Sequence, residues 1–254
     1  MFMSWKLASA FGRIDPEIER KLIIDYDRKS TPRPAWVHVK NSDGKIGMIG
    51  LDDKNGKRTM YRVYLMTKIP FFLPTDYTSE EMRKFYNKFS EIYDFYTEKK
   101  NKPAADLIFK KLKLGKESKL LELGAGTGQT ALHFANAGHK IMLTDFSEDM
   151  LKIAKQRKEL KACRFKVIDV RNLNLSEKFD AIYSIFSFGS NSYFKKEEMP
   201  SLYKKLSNIL NKSGKLALLS YDFEPPASLF NKVTSGQYDT GDRHLHPWAI
   251  WEKK

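Results

Sequence analysis

An α/β fold, with a doubly wound, mostly parallel sheet and helices on both faces, is what these 254 residues predict. Three observations carry that expectation. From Ser118 onward, short apolar runs of strand length alternate with amphipathic stretches of helical period. Alternation of that kind builds right-handed βαβ units around a parallel sheet. The first apolar run ends in three closely spaced glycines, Gly124, Gly126 and Gly128, which open the next helical stretch.

Taken in order, the chain begins with residues 1–13, which hold Lys6 and Arg13, no acid, and the apolar Phe2, Trp5, Leu7 and Phe11. They read as a short helix packed on the domain, with a transit peptide as the alternative. Strand-like runs follow at 35–39, 45–51 and 60–66, punctuated by Asp43-Gly44 and Asn55-Gly56. Those dipeptides supply the positive φ of tight hairpin turns, so the runs predict a three-stranded meander within an N-terminal extension, residues 1–77. So small a sheet needs a partner surface. Beyond Pro70 and Pro74, Thr78 and Ser79 followed by Glu80 and Glu81 mark a helix start, a hydroxyl cap with first-turn acids. Phe85, Phe89, Ile92, Tyr93 and Tyr96 then recur at helical spacing, and a second helix is expected from about Ala104 to Leu114. The two are lead-in helices, 78–117, of a domain spanning 78–254.

The core of that domain, 118–222, is predicted to hold strands at 119–123, 140–144, 164–168, 179–185 and 215–221. Helices are expected at 128–137, 147–159 and 196–210, a Rossmann-like pattern. The last 32 residues, 223–254, hold Pro225-Pro226, polar turn residues and one short apolar run, Trp248 to Trp251. They predict an abbreviated C-terminal segment, with the sheet edge covered by the meander or by a second subunit, because an exposed edge is a liability.

Composition narrows the class. The apolar share of 41% and charged share of 30% describe a soluble globular chain, and no apolar run approaches the roughly 18 residues of a membrane span. One cysteine, Cys163, excludes an internal disulfide and fits a reducing, cytoplasmic setting; no Cys/His spacing offers a metal site. The 45 basic residues against 31 acidic give a net charge of +14, which raises the question of nucleic acid. Division at residue 100 leaves +5 before and +9 after, so no basic tail exists. The densest clusters, from Lys110 to Lys119 and from Lys152 to Lys161, lie on or beside amphipathic helices and read as solvated faces. A nucleic-acid groove would interleave arginine with stacking aromatics.

Glu122-Leu123-Gly124-Ala125-Gly126-Thr127-Gly128 follows an apolar strand and opens a helix, the context of a nucleotide-binding loop. Glycine lets the backbone turn sharply there, and a helix start offers unpaired N–H groups. The spacing is G-x-G-x-G, because Gln129 stands where a dinucleotide loop carries its third glycine. Glu122 would repel a pyrophosphate but suits a ligand with a cationic amino-acid end, and S-adenosylmethionine has such an end. Asp145, at the tip of the second strand, can accept both ribose hydroxyls, with Phe146 beside it to cover the adenine. Asp169, ending the third strand beside Val170, can accept the adenine's exocyclic amine, and the fourth strand, through Ser184, would border the methionine part. Read singly, Asp145 could be a helix cap and Asp169 a turn residue.

On these residues, with Asp149-Met150-Leu151 after Ser147 and the Lys212-Ser213-Gly214-Lys215 turn, the chain resembles the class I S-adenosylmethionine-dependent methyltransferases. The Phe85–Asp94 segment resembles the lead-in helix of the small-molecule, ubiquinone/menaquinone C-methyltransferase type. The resemblance implies that this segment folds over the cofactor, which makes Tyr93 a candidate lid residue beside its bland reading as a core aromatic. It implies a helix and an antiparallel hairpin after the fifth strand, where the sequence offers little. It also implies methyl transfer, an in-line displacement in which positioning supplies much of the rate.

Ser184 to Ser187 is not the Asn/Asp-Pro-Pro-aromatic signature of enzymes that methylate nucleobase amines, and Cys163 lies far from the expected pocket. The expected acceptor is therefore a small molecule. An RNA or protein methyltransferase recruiting through the N-terminal region is the alternative, and a non-catalytic binding subunit is another. A homodimer is possible. Ser187, Asn191, Tyr193, Tyr221, Asp222, His244 and His246 are candidates around the pocket mouth, and none of them is assigned as catalytic.

Overall fold

The chain divides into two units, residues 1–77 with 241–244, and residues 78–240 with 245–254. The computed structural model describes residues 35–40, 46–54, 57–66, 79–188, 194–240 and 245–254. In the first unit β1 (Ala35–Lys40), β2 (Ile46–Lys54) and β3 (Lys57–Met66) form an antiparallel sheet in that order. Lys54 of β2 pairs with Lys57 of β3. The expected meander is present. The two turn dipeptides and residues 1–13 lie outside the described residues.

The second unit opens with α1 (Ser79–Leu112), followed by β4 (Lys119–Leu123), α2 (Ala131–Asn136), β5 (Lys140–Asp145) and α3 (Glu148–Gln156). Next come β6 (Arg164–Val167), β7 (Phe179–Phe188), α4 (Met199–Ile209), β8 (Leu210–Tyr221), β9 (Phe230–Asp239) and β10 (Leu245–Lys253). Their sheet has seven strands in the order β6-β5-β4-β7-β8-β10-β9, parallel except for β10. Side chains alternate across the central strands, which sorts the core into two layers. Leu120, Leu143, Tyr183, Ala217 and Ile250 face Ile108 and Leu112 of α1, Phe134 of α2 and Leu151 of α3. Leu121, Leu123, Ile182, Leu216, Leu218 and Trp251 face Leu202, Tyr203 and Leu206 of α4.

Two expectations need correction. The lead-in is one continuous helix rather than two, with Pro103 inside it. A proline removes one ladder donor and frees carbonyls in the preceding turn; there the Tyr238 hydroxyl donates to the Lys100 carbonyl at 3.0 Å. The C-terminal segment is not abbreviated either. Residues 230–253 supply a complete antiparallel hairpin, and the seven-stranded sheet is built from residues 119–253 alone, without the meander or a second subunit.

What the segment lacks is the helix expected before that hairpin. Residues 222–229 cross from the end of β8 to the start of β9 without helical structure. At about 3.3 Å per residue, eight residues reach roughly 26 Å, enough to recross the sheet. Phe223 and Leu229 pack on the α4 layer, and the Tyr203 hydroxyl donates to the Phe223 carbonyl. The signal for the hairpin was thin because β9 reads Phe230-Asn-Lys-Val-Thr-Ser-Gly-Gln-Tyr-Asp, mostly polar. It is an edge strand, largely exposed, held by pairing to β10. Gly236 is needed within it because a Cβ there would stand 2.9 Å from the Trp248 ring opposite.

The hairpin is thus part of the core. Trp251 is among the largest fully buried side chains, its ring 5.2 Å from that of Tyr221. Trp251→Ala is expected to destabilise the protein by about 3–5 kcal/mol in urea unfolding. A loss below about 1 kcal/mol would show that the hairpin is peripheral.

Candidate functional site

At the end of β4 the chain turns through Gly124, Gly126 and Gly128, with φ of 68°, 54° and 79°. Only glycine enters this left-handed region at little cost. At Gly124 there is also no room, since a Cβ would lie 2.3 Å from the Ser187 Oγ. At Gly126 a Cβ would lie 3.7 Å from the Tyr93 ring, so that ring stands over the middle of the loop.

The loop is tied to the next strand. The Ala125 N–H donates to the Thr144 carbonyl at 2.9 Å. The Gly126 N–H donates to Asp145 Oδ2 and the Ser147 N–H to Asp145 Oδ1, both at 2.8 Å. Asp145 is buried, which pushes its carboxyl up to about 6 against the pull of the Ser147, Gly126 and Phe146 N–H groups. Ser147 then caps α3, accepting from the Met150 N–H, and its hydroxyl meets Asn87 Oδ1 of α1 at 2.6 Å. Phe146 stands next to Asp145, its ring 5.7 Å from that of Tyr86.

A second set of contacts fastens α1 to the loop, and the sequence reading missed it. Asp94 accepts from the Thr127 hydroxyl, the Gln129 Nε2 at 2.7 Å and the Arg157 guanidinium. Gln129 Oε1 accepts from Thr97 Oγ1 at 3.2 Å and Asn101 Nδ2 at 2.9 Å. Arg157 Nε donates to the Thr127 carbonyl at 2.6 Å. The residue in the third-glycine position is therefore a hub. Arg157, expected on a solvated face, is turned into this cluster. The only sequence signals were the missing glycine and the adjacency of Asp94 to Tyr93.

Tyr93 accordingly sits over the loop. Its phenol is held well above the usual range by burial first, then by the nearby Tyr86, Asp145 and Asp94. Glu122 has surroundings other than those expected. It is fully buried, with its carboxyl accepting from the Thr130 hydroxyl and, at 2.9 Å, from the Tyr183 hydroxyl. Burial pushes it up to about 8. It braces β4 against α2 and β7. Ser184 is likewise buried, donating to the Leu123 carbonyl at 2.9 Å beneath the loop.

Asp169 ends the turn after β6, where Arg171 closes on it, with Nη2 to Oδ2 at 2.6 Å and the Arg171 N–H to Oδ1 at 3.0 Å. Burial works against these bonds, yet they hold its carboxyl below the usual range. Val170 begins the short turn that follows and packs on the α4 layer. Among the mouth candidates, Ser187 donates to the Gly124 carbonyl at 3.1 Å, and His246 Nδ1 lies 3.1 Å from Ser220 Oγ. Tyr221 is turned to the α4 layer, and partial burial raises the Asp222 carboxyl. Asn191, Tyr193 and His244 lie outside the described residues. Cys163 is half-buried, its thiol pushed up to about 11 by burial and by Glu122. Among the described residues no group of three or more His, Cys, Asp or Glu could hold a metal, and no helix is long and apolar enough to cross a membrane.

Two observations fit S-adenosylmethionine here. Asp145 is a buried carboxylate at the strand tip whose oxygens each take one N–H and retain acceptor capacity. The loop passes with Gly126 under the Tyr93 ring, and Arg157, the cation among its described hydrogen-bond partners, is engaged by Asp94 and the Thr127 carbonyl. A seven-stranded sheet of this order with such a loop after its first strand is consistent with the resemblance to the class I S-adenosylmethionine-dependent methyltransferases.

Comparison with known proteins agrees. Residues 120–214 match the methyltransferase domain family. The malonyl-[acyl-carrier protein] O-methyltransferase of Bacillus anthracis is 31% identical over 112 residues, 42% of each chain. The demethylmenaquinone methyltransferase of Chlamydia pneumoniae is 32% identical over 140 residues, 54% of this chain and 56% of that one. The structure of Burkholderia thailandensis 1,6-didemethyltoxoflavin-N1-methyltransferase has the same fold, with a TM-score of 0.54 at 17% identity, over 82% of this chain and 95% of that one. The matches to the two enzymes related in sequence cover about two fifths and just over half of their lengths. The match places a methyltransferase domain within the second unit, and the relatives support the class I S-adenosylmethionine-dependent methyltransferase superfamily.

The raised Glu122 carboxyl has a measurable consequence. Unfolded, it releases its proton near 4.5, and folded near 8, so across that range the native state binds the extra proton. Stability therefore falls as pH rises through the range. Asp145 contributes in the same sense only up to about 6. Between pH 6 and 8 the wild type should lose about 1–2 kcal/mol more than Glu122→Gln in denaturant unfolding. Parallel profiles would mean that Glu122 is ionised in the fold.

Proposed function

We propose that the protein transfers the methyl group of S-adenosylmethionine to a small-molecule acceptor. The observation that carries this reading is Asp145, buried and anchored beside a glycine loop that Tyr93 overlies. S-adenosylmethionine brings a methyl group on a sulfonium, already activated for displacement. The protein's part is to hold it and to exclude water.

In this reading the Asp145 carboxylate accepts the ribose hydroxyls while keeping its two N–H bonds. Phe146 covers one face of the adenine, and Asp169, steadied by Arg171, accepts from the adenine amine with Val170 alongside. Gly124, Ala125, Gly126 and Gly128 let the backbone approach the ligand, and Tyr93 closes over it. Glu122 and Ser184, expected to contact the cofactor, act instead beneath the loop, as supports for β4. The small-molecule acceptor is supported by the relatives whose names specify a menaquinone precursor or a carrier-bound malonyl group. The single cysteine favours the cytoplasm as the setting.

Calorimetric and thermal-shift titrations with S-adenosylmethionine and S-adenosylhomocysteine test the cofactor. At a hundredfold excess over Kd, stabilisation of about 2.7 kcal/mol is expected, a rise of roughly 5–10 °C in Tm. An unmoved Tm with both ligands at millimolar concentration would refute the reading. Asp145→Ala should weaken S-adenosylhomocysteine at least tenfold, because two charge-assisted hydrogen bonds are lost. Asp94→Asn should weaken it less, through the loop alone.

A further inference from the structure

We propose that Gln129 is a positioning residue for Tyr93, holding its ring over the glycine loop through a relay of oriented amides; this rests on the methyltransferase reading. The relay begins at Asp94, whose carboxylate can only accept hydrogen bonds. It faces the Gln129 side chain, so that amide turns its Nε2 toward Asp94, at 2.7 Å. Gln129 Oε1 is thereby turned the other way, toward Thr97 and Asn101 of α1. An amide oxygen also only accepts, so Asn101 in turn presents its Nδ2, at 2.9 Å. One carboxylate thus sets the direction of two amides in succession.

The relay ends on Tyr93, which shares one stripe of α1 with Thr97 and Asn101. The Thr97 hydroxyl meets the Tyr93 carbonyl at 2.9 Å as well as Gln129. Burial does most to raise the Tyr93 phenol, and a bond from the Asn101 side chain works against it. A bond that lowers a phenol is one donated to its oxygen, so the Asn101 amide serves both Gln129 and Tyr93 with N–H groups. Asn101 Oδ1 is left buried, with no hydrogen bond among the described residues. A buried acceptor without a partner is costly. Asn101 tolerates it because the reversed amide would set oxygen against oxygen at Gln129.

What the relay fixes is the place of the ring. A Cβ at Gly126 would lie 3.7 Å from Tyr93, so the ring and the middle of the loop are already in register. Apolar packing alone tolerates small shifts of a helix, whereas directed hydrogen bonds select one position. A cover fixed before the cofactor arrives raises affinity by lowering the ordering that binding requires. Gln129 is suited to the task by its position. It stands where a dinucleotide loop carries its third glycine, and a glycine there would leave Asp94, Thr97 and Asn101 without the partner they share.

The test is the affinity of the full chain for S-adenosylhomocysteine, measured by calorimetry. Gln129→Glu sets a carboxylate against Asp94 and should weaken binding about tenfold or more. Adding Asp94→Asn restores the sense of the relay, because the new amide donates to residue 129, whose carboxylate still accepts from Thr97 and Asn101. The double variant should recover to within about threefold of Asp94→Asn alone. No recovery would overturn the proposal. A cycle with Tyr93→Phe, which lacks the phenol that Asn101 bonds, asks whether the effect passes through Tyr93, and it decides alone if Gln129→Glu does not fold. The loss caused by Gln129→Ala should be at least about threefold smaller in Tyr93→Phe than in the wild type. Equal losses in the two backgrounds would mean that Gln129 serves the loop only, overturning the proposal and leaving the methyltransferase reading in place. Failure of the wild type to bind would remove both.

Discussion

A carboxylate buried at the tip of β5 is the constraint on which the site depends, because Asp145 joins the loop after β4 to the start of α3. One oxygen takes the Gly126 N–H from the loop after β4, and the other takes the Ser147 N–H at the start of α3. Removing such a group from water is costly, and hydrogen bonds to a charged acceptor, worth about 1.5–3 kcal/mol each, offset the cost only in part. The balance is visible in a carboxyl pushed up to about 6. A group held in that condition gains from further donors, and two ribose hydroxyls are donors of the required kind.

From that point the polar contacts spread outward. Ser147 passes from capping α3 to meeting Asn87, and Asp94 gathers Thr127, Gln129 and Arg157. The glycine loop is thus fixed from the strand side by Asp145 and from the helix side by α1. Beneath it, Glu122 with Thr130 and Tyr183 forms a buried strut. The two acids that the sequence places around the loop are both buried and differ in their partners, backbone N–H groups for Asp145 and side-chain hydroxyls for Glu122.

The basic excess also finds a physical account. Parallel strands with antiparallel helices bring helix C-termini to the edge where strands begin, and those ends carry unpaired carbonyls and partial negative charge. Lys215 donates to the Leu112 carbonyl at the end of α1, and Lys178 and Lys253 donate to those of Asn208 and Leu210 at the end of α4. Lys119 and Arg164, at the starts of β4 and β6, share Glu177, whose carboxyl they pull down to about 2. Part of the lysine content is therefore structural, set by topology and scattered in sequence.

The strands β4, β5, β7 and β8 were legible because each holds an apolar run, and the glycine loop because its residues answer to backbone geometry. The β9–β10 hairpin was not, since an edge strand paired on one side needs few apolar residues. Nor was the continuity of α1 through Pro103, because proline is a helix breaker when read in sequence alone. Asp94, Gln129 and Arg157 are distant in sequence, so their meeting could be seen only in the fold. Glu122 looked like a ligand contact because a motif fixes where a residue sits and leaves its side-chain direction open. The most direct measurement of the central claim is a crystal structure of the S-adenosylhomocysteine complex. It should show both ribose hydroxyls within hydrogen-bond distance of Asp145 with the Gly126 N–H bond intact. A ribose placed elsewhere, or an Asp145 that gives up the loop to reach it, would contradict the account.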